Sequence, residues 1–430
     1  MQTHFSPEQL ADPKLASLEK ILRSCVHCGF CTATCPTYVV GGDERDSPRG
    51  RIYLIKDLLE TGRAPTASDV APIDHCLSCY SCMTTCPSGV DYRRLVDVTR
   101  EQIETSDARQ LVERLLRAVL AYVLPSPARF RFALHFAKLV RPFKPLLARL
   151  PGVGLQLTAM LDLAPTQLPV SQQYPRPEPV EGRNGRVALL KGCVQDVLAP
   201  GINAAMARIL ERLGYEVVRP EGETCCGSLS HHMGRIHDAE PLMRATVDAF
   251  SREIDARGLS AIIVTASGCG ATIKDYAALL AGDPAYAETS RRVAALAKDP
   301  SEFLAGLDFN FSARKNLVVA YHSACTLQHA QKVTEAPKIL LRRAGFVVRT
   351  PAEAHLCCGS AGVYNILQPE TAAALKARKL TNLARQQPDV IASGNIGCLT
   401  QLAAGAPAPV VHTVELIDWA MGGPKPRALA

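Results

Sequence analysis

The chain has 430 residues, 47% of them hydrophobic and 21% charged, with 30 prolines and 29 glycines, which excludes collagen, coiled coil and long disorder and leaves room for about two to four cored units. Forty-eight basic against 41 acidic residues give a formal charge of +7, a balance from which no nucleic-acid partner is read. The unusual number is sixteen cysteines.

The first twenty residues contain Asp12 and Glu19 and lack a basic start before an apolar run, so they do not read as a secretory signal. No apolar, charge-free window is long enough to span a bilayer. A cytoplasmic, reducing location is expected, where thiolates hold metal more often than they pair as disulfides.

The first eight cysteines spell one pattern twice. Cys25, Cys28, Cys31 and Cys35 precede Pro36, and Cys76, Cys79, Cys82 and Cys86 precede Pro87. This C-x2-C-x2-C-x3-C-P run is that of bacterial ferredoxins, in which three thiolates take one cubane and the fourth reaches the other. The spacing predicts two [4Fe-4S] clusters, one held by Cys25, Cys28, Cys31 and Cys86 and one by Cys76, Cys79, Cys82 and Cys35. Two zinc sites are the bland alternative, and they would leave the duplicated spacing without a purpose. After Pro48, Ile52, Ile55, Leu58 and Leu59 fall at helical spacing, so a helix separates the loops, as in an α-helical dicluster ferredoxin. Arg45, Arg49 and Arg51 read equally as partners of anionic clusters or as a solvated charge run.

Arg109 to Arg149 carries nine basic residues and one acid, Glu113, threaded through leucines and phenylalanines. Such helices dock on the protein itself or a partner, which is the favoured reading, or lie on an anionic membrane surface. Pro165, Pro169, Pro175, Pro177 and Pro179 then mark an extended linker.

The remaining cysteines disclose a duplication. Cys193, Cys225, Cys226 and Cys269 recur as Cys325, Cys357, Cys358 and Cys398, with 32 residues from the first cysteine to the Cys-Cys-Gly in both copies. Short β-branched runs at Val187, Val217, Ala261, Val318, Val347 and Val390 alternate with helical stretches, which predicts a parallel sheet in each copy. Each cysteine then falls just past a strand end, where loops of open α/β sheets meet. Gly227 and Gly359 would permit positive φ beside the metal. The repeats are expected to hold a further iron-sulfur cluster or zinc. His231, His232, His322, His329 and His355 lie near these cysteines and read first as structural or outer groups. No residue is expected to act as an acid-base catalyst.

The fold class is therefore α+β and multidomain: a ferredoxin unit over 7–100, a basic helical bridge over 101–163, a Pro-rich linker over 164–186, and cysteine-rich repeats over 187–311 and 312–425. No complete G-x-G-x-x-G is present, so no flavin or nicotinamide site is read in the chain.

Ser24 to Thr37, the Pro48–Ile55 helix, Ala266-Ser-Gly-Cys-Gly270, Cys325 to Gln331 and His355 to Gly362 together resemble the iron-sulfur subunit of glycolate oxidase over nearly the full length. The wider resemblance takes in the iron-sulfur subunits of anaerobic glycerol-3-phosphate dehydrogenase, lactate utilisation and heterodisulfide reductase. It implies FAD on partner subunits that oxidise glycolate to glyoxylate, with this chain conducting electrons to a quinone or another membrane acceptor from a cytoplasmic or peripheral position on the inner face. The competing readings are a terminal disulfide or quinone reductase acting at the Cys-Cys-Gly site, the equivalent lactate or glycerol-3-phosphate subunit, and a zinc scaffold. Where the heterodisulfide branch has a further cysteine, this chain has Ala266 and Asn395.

Overall fold

A computed structural model describes residues 1–169, 184–312 and 316–430. The prolines at 175, 177 and 179 lie outside them.

The N-terminal unit is helical. Helices Pro13–Ser24, Pro48–Thr61, Ala67–Asp74 and Tyr92–Thr105 bury Leu18, Leu22, Ile52, Ile55, Leu59, Ile73, Leu95 and Ile103 against one another. Ser47 caps Pro48–Thr61 by accepting from the Gly50 N–H, and left-handed Gly62 (φ +65°) ends it. Pro36 opens a short helix, Pro36–Gly41, with Cys35 as its cap residue. The proline that closes the first cysteine run thus begins the next element, because its missing N–H costs nothing at a first helical position.

The bridge comprises helices Leu111–Val123, Pro127–Val140, Lys144–Leu147 and Gly154–Leu163. Its inner face packs Leu120 and Ala121 on Met233 and Val363, one from each repeat. Arg109 and Arg117 are buried and close on Asp74 of the ferredoxin unit, Arg117 Nη2 lying 2.8 Å from its carboxylate. Burial opposes the charge of Asp74, and the two arginines overcome this to hold its pKa at about 2. Two of the nine basic residues therefore serve internal docking.

Each repeat is a four-stranded, wholly parallel sheet. In chain order the strands are β1 (Arg186–Leu189), β2 (Glu216–Val218), β3 (Ala261–Ile263), β4 (Ala297–Lys298), β5 (Val318–Tyr321), β6 (Val347–Arg349), β7 (Val390–Ser393) and β8 (Val410–His412). The sheets run β2-β1-β3-β4 and β6-β5-β7-β8, so the duplication extends to strand order. Equivalent registers follow, with Val187 opposite Val217 and Ala261, and Val319 opposite Val348 and Val390. The edge strands β4 and β8 were not foreseen; β4 has only two residues, too few to show a periodicity. Both lead into the same cap: Asp299 and His412 begin helices Pro300–Ala305 and Thr413–Ala420, each in a reciprocal box with a glutamate three residues on.

The repeats share one buried apolar cluster, in which Leu340, Val414 and Ile417 of the second meet Ala205, Ile209 and Leu304 of the first, and polar contacts add to it. His412 Nδ1 accepts from the Val414 N–H, so Nε2 carries the proton and donates to Thr265 O at 3.0 Å. Arg208 and Arg212 close on buried Asp418, each at 2.6 Å. No helix among the described residues is long and apolar enough to cross a membrane.

Candidate iron-sulfur and cysteine-rich sites

The two ferredoxin loops share a backbone conformation. His27 and Ser78, each two residues past the first cysteine, have φ of +57° and +48°, and Gly29 and Tyr80, each four past it, have +86° and +59°. Left-handed backbone at four such positions, three of them not glycine, stores strain that surrounding contacts must hold. Tyr80 is buried, and the Arg93 guanidinium lies 4.7 Å from its ring centre. The C-x2-C spacing gave no sign of this conformation; only the glycine at 29 hinted at it.

These loops shape two small neighbouring cavities. One is lined by Cys25, Cys28, Cys31 and Cys86, the other by Cys35, Cys76 and Cys79, and Cys82 borders both. Each cavity thus takes three cysteines from one run and the last from the other, and its donors are all soft sulfur, a set that fits a cubane. Burial pushes the Cys31 thiol up to about 11 and raises the Cys82 thiol well above its ordinary value, so protons must leave when metal enters.

The three early arginines separate. Arg51 is fully buried, donates Nε to Pro72 O at 2.5 Å and Nη2 to Thr37 Oγ1 at 3.0 Å, and lies with Nη1 3.8 Å from Cys35 Sγ. It is placed to offset anionic sulfur. Arg49 pairs with Glu44, and Arg45 is an exposed partner of Asp43. Arg100, which the spacing did not single out, is also buried, donating to Ser78 Oγ at 2.6 Å and Cys76 O at 2.5 Å.

In the repeats all eight cysteines sit beyond the carboxyl ends of the strands. Cys193 Sγ lies 3.3 Å from Cys225 Sγ, and Cys325 Sγ 3.7 Å from Cys357 Sγ. Gly227 and Gly359, with φ of +78° and +89°, let the paired-cysteine loops fold close to helices Ile236–Arg257 and Pro369–Ala384. Donation from the Cys325 and Cys358 thiols holds Cys357 well below the ordinary thiol value. Donation to Cys225, followed by burial, raises Cys193.

Both cysteine groups open on one cavity of about 540 Å³. Its floor includes Cys76 and Leu77 of the ferredoxin unit, and its roof is the inner face of the bridge, with Leu120, Phe130, Leu134 and Leu161. Cys79 packs in a buried cluster with Leu77, Cys357 and Tyr364, so the second ferredoxin cavity adjoins the second repeat.

Among the five histidines, His231 pairs with Asp97 at 3.1 Å. His329 bridges Thr84 Oγ1 at 2.8 Å and His355 O at 3.0 Å. Burial lowers His232 to about 3 and lowers His355 more modestly. Asn395 accepts from the Gly268 N–H and directs Nδ2 at Cys398 Sγ, both at 3.5 Å.

The 4Fe-4S dicluster domain family matches residues 21–90, and the Cysteine-rich domain family matches 187–274 and 319–403. The "Glycolate oxidase iron-sulfur subunit" of Escherichia coli (strain K12) is 41% identical over 98% of this chain and 99% of its own length. The "Probable glycolate oxidase iron-sulfur subunit" of Bacillus subtilis (strain 168) is 31% identical over 93% and 94%. "Lactate utilization protein A" of Bacillus licheniformis is 27% identical over 54% of this chain and 99% of its own. A crystal structure of a hypothetical protein from Helicobacter pylori superposes with a TM-score of 0.57 over 97% of this chain and 74% of that one, at 10% identity, a likeness of fold alone.

Proposed function

Since the chain belongs to the family of glycolate oxidase iron-sulfur subunits, we propose that it takes electrons from a flavin-bearing partner that oxidises glycolate to glyoxylate and conducts them to a quinone. The observation that carries this reading is the gathering of eight cysteines into two adjoining cavities with crossed membership. Two [4Fe-4S] clusters there would supply single-electron chemistry, which a flavin can feed after taking two electrons from a hydroxy acid.

The chain's own residues hold and insulate that path. Cys25, Cys28, Cys31 and Cys86 would ligate one cluster, and Cys76, Cys79, Cys82 and Cys35 the other. Arg51 and Arg100 place buried positive charge beside them. The contact of Cys79 with Cys357 favours the second repeat as the next stage. Cys193, Cys225, Cys226 and Cys269, and Cys325, Cys357, Cys358 and Cys398, would hold further metal in the repeats.

The exit is supported by the apolar cavity under the bridge, which suits a lipophilic acceptor better than a charged one. The outer face of the same segment exposes Leu111, Leu115, Phe132, Leu139 and Phe143, interleaved with Arg114, Lys138 and Arg149. That pattern fits a peripheral position on an anionic membrane face, with the bridge docked internally on one side and on lipid on the other.

The test is iron and sulfide content of anaerobically purified protein, with low-temperature EPR after dithionite. About eight irons and two interacting reduced clusters are expected from the ferredoxin unit, and more irons if the repeats carry clusters. In the assembled complex glycolate should reduce these clusters. Zinc without iron would overturn the reading, and disulfide or quinone turnover by this chain alone from an artificial donor would favour the terminal-reductase reading.

A further inference from the structure

His322 follows β5 directly, three residues before Cys325, and is 1% exposed. Among the described residues neither of its ring nitrogens makes a well-formed hydrogen bond, although the Cys398 sulfur lies in reach. A buried imidazole with both polar atoms unpaired is costly, and native folds rarely leave one without a reason. Its surroundings supply the reason: a ring nitrogen, Cys358 Sγ and Cys398 Sγ all lie within 4.8 Å of one another. Asn395 Nδ2 also reaches Cys398 Sγ, at 3.5 Å.

We propose that His322 is a metal ligand, sharing with Cys358 and Cys398 the iron or zinc of the second repeat, and that the first repeat has no counterpart. The donor set is thiolate plus imidazole, the pair that zinc and the iron of some clusters accept together. Position 190, three residues before Cys193, is a leucine packed in the first repeat's core. The two cysteine quartets are alike in spacing, so this histidine is what would make their metals differ in charge and potential, since a neutral imidazole replaces or adds to thiolate.

The proposal rests on the reading that the second repeat binds metal, and the experiment separates the two. Full-length protein is purified anaerobically with 15N-labelled or unlabelled histidine, its iron and zinc are counted, and nitrogen is sought by pulsed EPR on reduced clusters and by X-ray absorption at the zinc edge. For iron, the expected result is a nitrogen coupling that changes with the label and disappears in His322→Leu. For zinc, it is one imidazole in a sulfur shell, lost in the same variant. His322→Cys should restore metal content with a sulfur-only shell, while the signals of the two ferredoxin clusters persist in both variants as the control for folding. Metal beyond the ferredoxin unit with a sulfur-only shell in the unaltered protein would overturn the ligand assignment alone. No metal beyond the ferredoxin unit would overturn it together with the reading beneath it.

Discussion

The two cysteine-rich repeats have the same strand order, the same four-cysteine spacing and the same capped helix after the fourth strand, yet they meet the ferredoxin unit by different chemistry. The first repeat is held by charge. Asp275 takes both Arg93 and Arg94, His231 pairs with Asp97, and Arg235 with Glu104. The second repeat is held by apolar packing of Leu77 and Cys79 on Cys357, Tyr364 and Leu375, with the neutral Thr84–His329 link beside it. Duplication preserved the sheet, whose hydrogen bonds and buried faces tolerate little change, while the loops and helix faces around it diverged. The consequence is that, among the described residues, a paired cysteine of the second repeat, Cys357, shares a buried cluster with a ferredoxin cysteine, Cys79, and Cys225 and Cys226 do not.

The largest expected difference between the repeats lies at their paired glycines. A β-carbon at Gly359 would come 2.6 Å from the Ala372 backbone oxygen, which cannot step aside, whereas at Gly227 the nearest atom is Met243 Cγ at 2.9 Å, on a flexible side chain, and the nearest backbone atom, Ala239 O, lies at 3.0 Å, a milder clash. Both positions have positive φ. Gly359→Ala should cost about 3 kcal/mol and Gly227→Ala about 2 kcal/mol in thermal or denaturant unfolding, combining backbone strain with the unequal clash. Equal losses would remove the packing distinction.

The capping residues should respond to acid in opposite directions. Burial lowers His412 to about 4, below its unfolded value, so the unfolded chain binds the extra proton and stability falls as pH drops from 6.5 toward 4. Burial raises Asp299 to about 6, so the folded chain binds the proton and stability rises as pH drops from 6 toward 3.8. Between pH 7 and 5 each contributes on the order of 2 kcal/mol, and in the unaltered protein the two largely cancel. His412→Asn should unmask stabilisation on acidification, and Asp299→Asn should unmask destabilisation. Melting temperatures across that range that move the same way in both variants would contradict the assignment.

The smallest effect concerns docking. Asp275→Asn, which keeps the shape but removes the charge facing Arg93 and Arg94, should lower stability by about 1 kcal/mol. It should also speed hydrogen exchange along the Ser267–Leu279 helix while leaving the helix beginning at Pro369 unchanged. The corresponding loss for Thr84→Val should be insensitive to salt, and a salt-dependent loss there would blur the contrast between charged and apolar docking.

The sequence by itself determined the order of the units, the two ferredoxin runs, the duplicated quartets and six of the eight strands, because these depend on local spacing: cysteines three residues apart, β-branched runs, and a 32-residue step repeated. It also determined the separating helix, for which Pro48 and the Ile52, Ile55 and Leu59 stripe suffice. Tertiary structure decided the rest. Arg51, Arg49 and Arg45 are neighbours in one charge run, and only packing separates the buried partner of Cys35 from two surface pairs. His322 and His329 look alike in sequence, seven residues apart, but one satisfies both ring nitrogens and the other neither. The bridge read as an amphipathic surface, and the apolar cavity beneath it exists only because both repeats and the ferredoxin unit converge there. Such contacts join residues scores to hundreds of positions apart, and their geometry follows from how whole elements fill space, which no local pattern encodes.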